Sequence, residues 1–426
     1  MSKEHIESIL EKEDSWNAFI EKTPEIARSA SNEGMLAGKT LAIKSCINVK
    51  GALTSCASKT LDNYIAPYDA TVISKIKSEG GAIIGMANMD EFACGASGET
   101  SYYGPTKNPS AKGMIPGGSS SGSAAAVAAD LCDMAIGTDT GGSIRNPSSH
   151  CGVVGFKPTY GTVSRYGVCD MSMSLEQVGP IAKSVYDAAL LLDVISGKDE
   201  REATTLDTRG GFSENLNPDL SGKKLGYAKE IDELIVDDGI RTSIHAALDK
   251  LKSEGAEIID VELPSLSISI PTYYLNVYVE FFSATRKYDG RRFGHKIEES
   301  CGEEVLRRIT LGKYISAAEW QGKYYRKALA ARTMIRNELE SALKDVDALV
   351  APVVPMLPHK IGEEGSNDPK VMYAYDIFTT PANLAGLPAG SVPANEVNGI
   401  PTGLQVIGKP LSDQKVLDVM AGFEAL

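Results

Sequence analysis

The chain has 426 residues, of which 42% are apolar and 23% charged, an ordinary globular composition with enough apolar material for a large core. Its net charge of −13 argues against a chain that grips nucleic acid mainly by itself, because phosphate neutralisation needs clustered lysine and arginine. A partner must supply most of the basic surface for any nucleic acid that is involved.

The seven cysteines are scattered and none forms a C-x-x-C pair, which disfavours both a zinc site and a disulfide framework. The N-terminus is polar and carries no apolar signal-peptide core. No run reaches the roughly 18 apolar residues that a membrane helix needs. We therefore expect a soluble protein of the cytoplasm that does not contact a membrane.

The elements begin with a helical N-terminal segment and continue as an alternation of strands and helices. We predict one or two charged amphipathic helices over residues 1–30, separate from a domain that spans 31–426. Asp69 is predicted to cap the helix that follows it and ends at Gly80. The first half of the chain has predicted strands over 40–43, 82–86 and 134–137, with helices over 70–78, 123–131 and 185–195.

The second half starts with a polar connector over 198–222 and then repeats the alternation. Helices predominate at about 271–344, where we expect a lid-like layer. The whole pattern predicts an α/β fold, namely a single large domain with a central mixed β-sheet flanked by helices. This half has predicted strands over 224–228, 256–261, 347–351 and 403–407, with helices over 240–252, 271–288, 303–311 and 317–344.

Two glycine-rich segments imitate well-known motifs without their context. Residues 34–40 resemble a phosphate-binding loop, but only three residues separate the glycines and the segment leads into a strand instead of a helix. Residues 118–122 match the G-x-S-x-G nucleophile elbow, yet a loop precedes them where that elbow follows a strand. The five histidines occur singly, and no ligand spacing predicts a metal site.

The strongest chemical signal is a pair of glycine-flanked serine clusters, 117–123 and 141–145, each at the predicted start of a helix. Helix N-termini present unpaired N–H groups that stabilise developing negative charge, and a serine there needs only a base to become a nucleophile. Lys44 is the best candidate for that base, since it ends an apolar strand and has no charged neighbour for four residues on either side. Burial disfavours the ammonium form, so an enclosed lysine acts as a base near neutral pH.

Lys44, the serine cluster at 117–122 and the segment 137–145 together resemble the amidase signature family, which uses a Ser–cis-Ser–Lys triad. The spacing agrees with that family, with 75 residues from Lys44 to Ser119 and 24 from Ser119 to Ser143. The segment 151–159 continues the pattern, although Ser45 stands where the family commonly has an acidic residue. The resemblance implies the amidase signature fold.

The same resemblance implies a role for each matched residue. Ser143 is expected to be the nucleophile, Ser119 the bridging serine on a cis peptide, and Lys44 the base. The backbone N–H groups of Thr140, Gly141 and Gly142, with that of Ser143, are expected to form the oxyanion hole.

Within the family, the chain is most similar to the branch formed by the A subunits of aspartyl/glutamyl-tRNA(Asn/Gln) amidotransferases, over nearly its whole length. By that resemblance Tyr273, Arg308 and Asp376 are expected to hold glutamine, whose α-carboxylate suits a guanidinium and whose α-ammonium suits a carboxylate. Tyr375 stands where many relatives carry asparagine. The segments that carry the similarity are 86–92, 288–294, 307–312, 381–388 and 403–408.

The resemblance implies a glutaminase subunit of a heterotrimer. A partner B subunit is expected to hold ATP and magnesium and to activate the glutamyl-tRNA(Gln) or aspartyl-tRNA(Asn) substrate. A small C subunit is expected to lie at the interface. The tRNA is expected to contact mainly the partner. No cofactor is expected on this chain. Two other interpretations stay open at this point: a stand-alone amidase for a small amide, and a catalytically silent scaffold subunit.

Overall fold

The computed structural model describes residues 3–208, 210–366 and 368–426, which form one domain around a mixed sheet of 11 strands. The order across the sheet is β1-β3-β2-β4-β6-β5-β10-β11-β9-β7-β8. This architecture confirms the predicted fold class. The strands are β1 Phe19–Lys22, β2 Thr40–Lys44, β3 Ala82–Ala87, β4 Met134–Asp139, β5 Val154–Lys157, β6 Gln177–Ala182, β7 Lys224–Ala228, β8 Glu257–Val261, β9 Ala348–Pro352, β10 Ala389–Val397 and β11 Ile400–Ile407.

Helices cover the sheet, and none in the described ranges is long and apolar enough to cross a membrane. The helix-rich region predicted at about 271–344 contains α9 to α12. The helices are α1 Lys3–Leu10, α2 Pro24–Arg28, α3 Thr71–Ser78, α4 Ser121–Ala128, α5 Arg145–Cys151, α6 Val185–Ile195, α7 Lys229–Leu234, α8 Asp238–Ser253, α9 Ser269–Ala284, α10 Ile297–Ser300, α11 Glu303–Ile315, α12 Lys323–Ala342, α13 Pro369–Ala374, α14 Thr380–Ala385 and α15 Asp413–Glu424.

Strand β2 lies between β3 and β4 and runs parallel to both. The carboxyl ends of adjacent parallel strands meet at one edge of a sheet, where open α/β sheets place their ligands. Lys44 is the last residue of β2, and Asp139 is the last residue of β4. The two glycine-flanked serines lie in the connections around β4, at this same edge.

The N-terminal segment contains two helices, α1 and α2, as predicted, and also strand β1, which was not predicted and pairs antiparallel with β3. The proposed cap at Asp69 is wrong, because Ala70 occupies the N-cap position of α3 without a side-chain hydrogen bond. The Asp69 carboxylate instead accepts from the backbone N–H of Lys50 and pairs with Lys77.

Two internal strands that the sequence did not reveal contain proline. Pro180 lies within β6, opposite Ile136 of β4, and Pro393 lies at an irregularity in the pairing of β10 with β11. Proline cannot donate to a sheet ladder and so argues against a strand assignment from sequence. Both strands still form, because neighbouring residues supply the remaining ladder bonds.

A fully buried ion pair fixes the chain beyond β4. The guanidinium of Arg145 donates from Nε and Nη2 to the two carboxylate oxygens of Asp139, each at 3.0 Å. It also donates to the carbonyl of Thr379 and to the side chains of Gln405 and Asn383. The turn after β4 is thereby tied to α14 and β11, two elements that lie far away in sequence.

Replacing Arg145 by methionine should lower the free energy of unfolding by about 3–5 kcal/mol, because a buried carboxylate is left without its cation. Arg28 offers a matched control, since it pairs with Glu7 through the same two-bond geometry on the surface. Arg28→Met should leave the urea midpoint almost unchanged. Equal shifts for the two variants would contradict the stabilising role of the buried pair.

Candidate active site

Lys44 is fully buried, and its amino group lies among hydroxyl and carbonyl oxygens. Its Nζ is 2.8 Å from Ser119 Oγ, 2.9 Å from Thr138 Oγ1 and 3.2 Å from the carbonyl oxygen of Thr138. Burial lowers the pKa of Lys44, since the ammonium loses its hydration; the neighbouring Cys46 and Glu176 oppose this only in part.

These three contacts suit a neutral amine. The carbonyl of Thr138 can only accept, so one N–H of Lys44 points there, and a second can point to the Thr138 hydroxyl. The Thr138 hydroxyl also lowers the pKa of the buried Glu176 carboxyl, against the raising effect of burial. The lone pair of Lys44 is then left for the Ser119 hydroxyl. An amine in this arrangement can take the Ser119 proton.

Ser119 follows a cis peptide bond after Gly118, as the family resemblance implies. Its carbonyl accepts from the backbone N–H of Asp90 at 3.2 Å. Ser120 joins the two serine clusters, because its N–H donates to the carbonyl of Ser143 at 3.1 Å. The hydroxyl of Ser120 donates to the carbonyl of Thr138. The backbone therefore holds Ser119 between Lys44 and the Ser143 segment.

Ser143 lies two residues before α5 and is 7% exposed, whereas Ser119 is fully buried. Within the described ranges, the Ser143 hydroxyl has no hydrogen-bond partner, and it is not bonded to Ser119. A rotation of its side chain is thus needed to complete a relay with Ser119, which is common for catalytic hydrogen bonds before substrate binds. Ser143 is therefore the more exposed member of the pair.

The predicted oxyanion donors are not equivalent. The N–H of Gly142 departs from the prediction, because it donates to Asp139 Oδ1 at 2.8 Å and is already satisfied. The N–H groups of Thr140, Gly141 and Ser143 have no acceptor in the part of the chain that the structure describes. These three remain as donors for an oxygen that develops negative charge.

Glycine is required at both central positions of this turn. A Cβ on Gly141 would lie 2.5 Å from Cζ of Tyr273, and one on Gly142, whose φ is +138°, would lie 2.4 Å from Thr379 Oγ1. The ring of Tyr273 therefore packs directly on the turn. Tyr273 is 3% exposed and links the serine segment to helix α9.

Arg308 is buried in α11, where Glu304 is its one carboxylate partner among the residues that the structure describes. Its Nε donates to Glu304 Oε1 at 2.6 Å, one turn earlier on the same helix, and Nη1 contacts the sulfur of Met171 at 3.6 Å. Its guanidinium faces the rings of Tyr274 and Tyr373, with centroids 5.3 and 5.8 Å away. Nη2 has no hydrogen-bond acceptor among the described residues, so this cation retains donors for a ligand.

Asp376 is 8% exposed and accepts from the hydroxyl of Tyr274 at 2.8 Å. Burial raises the pKa of Asp376 to about 7, against the lowering effect of that hydroxyl and of Arg308. Tyr274 thus contacts both charged residues, with its hydroxyl on one and its ring beside the other. The structure brings Tyr273, Arg308 and Asp376 close together; their role in binding a ligand stays a prediction.

Sequence reasoning missed the residues that support these groups. Thr138 lies within the matched segment 137–145, so its position could have signalled contact with Lys44. Glu176 and Tyr274 act through contacts between distant elements, and no local pattern marks them. Glu304 lies four residues before Arg308 on one helix, so this spacing could have signalled the pair. In the described ranges, no group of three or more histidine, cysteine, aspartate or glutamate side chains is arranged to hold a metal ion.

Comparison with known proteins agrees with this geometry. A model of the amidase family matches residues 7–417. The A subunit of glutamyl-tRNA(Gln) amidotransferase from Methanocaldococcus jannaschii is 56% identical, over 99% of this chain and 98% of that protein. Similarity therefore extends across every element that contributes to the site.

Solved structures give the same result for the fold. The crystal structure of the A subunit of glutamyl-tRNA(Gln) amidotransferase from Thermotoga maritima has a TM-score of 0.87 and 42% identity, over 98% of this chain and 90% of that one. Native peptide amidase from Stenotrophomonas maltophilia has a TM-score of 0.83 and 28% identity, over 99% and 91%. The same fold therefore occurs in an amidotransferase subunit and in a peptide amidase.

Ser143 should react with a sulfonyl fluoride, and the rate should fall as pH drops through the lowered pKa of Lys44, because the protonated amine cannot accept the relayed proton. Lys44→Met should abolish this labelling. Lys50→Met, which removes an exposed lysine nearby, should leave it unchanged. Mass spectrometry of the labelled peptide measures the effect. Equal labelling of the Lys44 variant and the wild type would contradict the assignment of the base.

Proposed function

The chain belongs to the amidase signature family, and on that premise we propose that it is the glutaminase subunit of a glutamyl-tRNA(Gln) amidotransferase. One observation carries the proposal: the buried amine of Lys44 lies 2.8 Å from the hydroxyl of Ser119, next to the segment of a second serine, Ser143, whose hydroxyl has no partner among the described residues. The proposed reaction is hydrolysis of the side-chain amide of glutamine, with transfer of the ammonia to a partner.

The proposed first step is acylation of Ser143. Neutral Lys44 takes the proton of Ser119, Ser119 takes that of Ser143, and Ser143 Oγ attacks the amide carbon of glutamine. In this proposal the N–H groups of Thr140, Gly141 and Ser143, which are unpaired among the described residues, stabilise the oxyanion, at about 2.7–4 kcal/mol for each donor.

The relay then runs in reverse. Lys44 returns its proton through Ser119 to the departing nitrogen, the carbon–nitrogen bond breaks, and ammonia leaves. Water attacks the acyl-enzyme by the same relay, which releases glutamate and regenerates Ser143. The buried position of Lys44 keeps it neutral at the start of each half-reaction, because an ammonium there lacks hydration.

The charged residues next to the serine segment select a free amino acid in this proposal. Arg308 pairs with the α-carboxylate of glutamine and Asp376 with its α-ammonium, while Tyr273 closes the site over Gly141. Glu304 orients the guanidinium of Arg308 by accepting a hydrogen bond from its Nε. A bound α-ammonium also lowers the pKa of Asp376 and keeps its carboxyl ionised, as an opposite charge does.

We further propose the division of labour that the relatives' name suggests. A B subunit binds ATP and magnesium, activates the carboxyl of the mischarged tRNA and receives the ammonia, and a small C subunit lies at the interface. The tRNA contacts the partner more than this chain, in keeping with the net charge of −13. Protein synthesis in the cytoplasm is the setting of this reaction.

Ser143→Ala should lower glutamine hydrolysis at least about a thousandfold, because the nucleophile is lost while its surroundings remain. Ammonia added to the assembled complex should still support amidation of the tRNA. Ser149→Ala, which alters a buried serine on α5 outside the relay, is the matched control and should retain activity. Hydrolysis by Ser143→Ala within threefold of wild type would contradict the nucleophile assignment.

Arg308→Ala should lower kcat/KM for glutamine by about 30-fold or more, since loss of one partner of an enclosed charge pair costs about 2–5 kcal/mol. Hydrolysis of propionamide should change little, because that amide has no α-carboxylate. Arg286→Ala, an exposed arginine after α9, serves as the control. Equal losses on both amides would make Arg308 structural and would favour a stand-alone amidase over a glutaminase subunit.

A further inference from the structure

Three cysteine-bearing segments meet immediately after Lys44. The N–H of Cys56 donates to the carbonyl of Ser45 at 3.0 Å, and the N–H of Cys169 donates to that of Cys46 at 2.8 Å. These bonds bring Cys56 and Cys169, distant in sequence, side by side. The two thiols lie close enough that each shifts the pKa of the other.

The two thiols differ in access. Cys56 is fully buried, whereas Cys169 is partly exposed and lines a cavity of about 170 Å³. The same cavity is lined by Lys287 and Tyr288, and Lys287 is anchored by Asp170 at 3.0 Å. A small reagent that enters the cavity therefore meets Cys169, whereas Cys56 does not line the cavity.

The surroundings of Cys169 favour its thiolate. The thiol of Cys56 lowers the pKa of Cys169, burial opposes this, and the charge of Lys287 and the hydroxyl of Tyr288 lower it further. The thiolate, not the thiol, is the reactive form of cysteine. Cys301 is also partly exposed, but burial raises its pKa to about 12.

We propose that Cys169 is an oxidation-sensitive modification site, at which a hydroperoxide oxidises the exposed sulfur and Cys56 then closes a Cys56–Cys169 disulfide. In the first step the Cys169 thiolate attacks one peroxide oxygen, the O–O bond breaks, and hydroxide or an alkoxide leaves and takes up the proton that Cys169 had released. The product is a sulfenic acid. Both oxidising equivalents come from the hydroperoxide.

In the second step the sulfur of Cys56 attacks that of Cys169. The S–S bond forms, the S–O bond breaks, and the leaving hydroxide takes the Cys56 proton and departs as water. Two thiols are oxidised for each peroxide reduced. This chemistry uses neither Ser143 nor Lys44 and is independent of the proposed glutaminase activity.

Alkylation of the native full-length chain tests the reactivity of Cys169. With limiting iodoacetamide at neutral pH, Cys169 should be modified about tenfold or more faster than Cys301, whose thiol has similar access but a raised pKa. Peptide mass spectrometry measures both rates in one sample, at a reagent dose that leaves fully buried Cys132 unmodified. Equal rates at the two sites would overturn the proposal.

Hydrogen peroxide, followed by blocking of free thiols, tests the resolving step. The wild type should yield a peptide cross-linked through Cys56 and Cys169, and Cys301→Ser should yield the same. Cys56→Ser should instead accumulate the sulfenic acid of Cys169, trapped by dimedone. Absence of the cross-link in the wild type, or no dimedone adduct at Cys169 in the Cys56 variant, would overturn the proposal.

Discussion

The burial of Lys44 is the constraint around which the site is arranged. An ammonium in that enclosed position is disfavoured, and the hydrogen-bond partners of the amino group are the hydroxyl of Ser119 and the hydroxyl and carbonyl oxygens of Thr138. Parallel pairing of β2 with β4 puts Lys44 and Thr138 at one edge of the sheet. The cis peptide before Ser119 and the bond from Ser120 to Ser143 then bring both serine segments to that amine. Sheet topology and proton transfer therefore depend on the same few contacts.

The site divides into a fixed frame and a small set of free groups. The Asp139–Arg145 pair uses its hydrogen bonds within the protein, and it consumes the N–H of Gly142 as well. In the described residues, the hydroxyl of Ser143, three N–H groups of its turn and Nη2 of Arg308 are left without partners. Preorganised donors of this kind stabilise charge without reorganisation during the reaction. The unpaired groups are those that the proposed reaction uses.

The sequence predicted the fold class and the groups brought to the site, because their signals are local. Lys44 ends an apolar strand, and Ser119 and Ser143 lie on glycine turns before helices. Long-range contacts left no such signal: Gln405 and Asn383 bind Arg145, and Tyr274 contacts both Arg308 and Asp376. Strand β1 was missed because it lies in a charged segment, and β6 was missed because Pro180 argues against a strand. A single sequence therefore predicts residues whose signals are local, whereas contacts between distant elements can be identified only in the folded structure.

The most direct measurement of the central claim is the charge of Lys44 itself. In protein labelled with ¹⁵N at lysine side chains, the Nζ resonance of Lys44 can be identified by its loss in Lys44→Arg. Its chemical shift should be that of a neutral amine at neutral pH and should change to that of an ammonium as pH falls through the lowered pKa. An ammonium shift that persists into the alkaline range, as for the exposed lysines, would contradict the account.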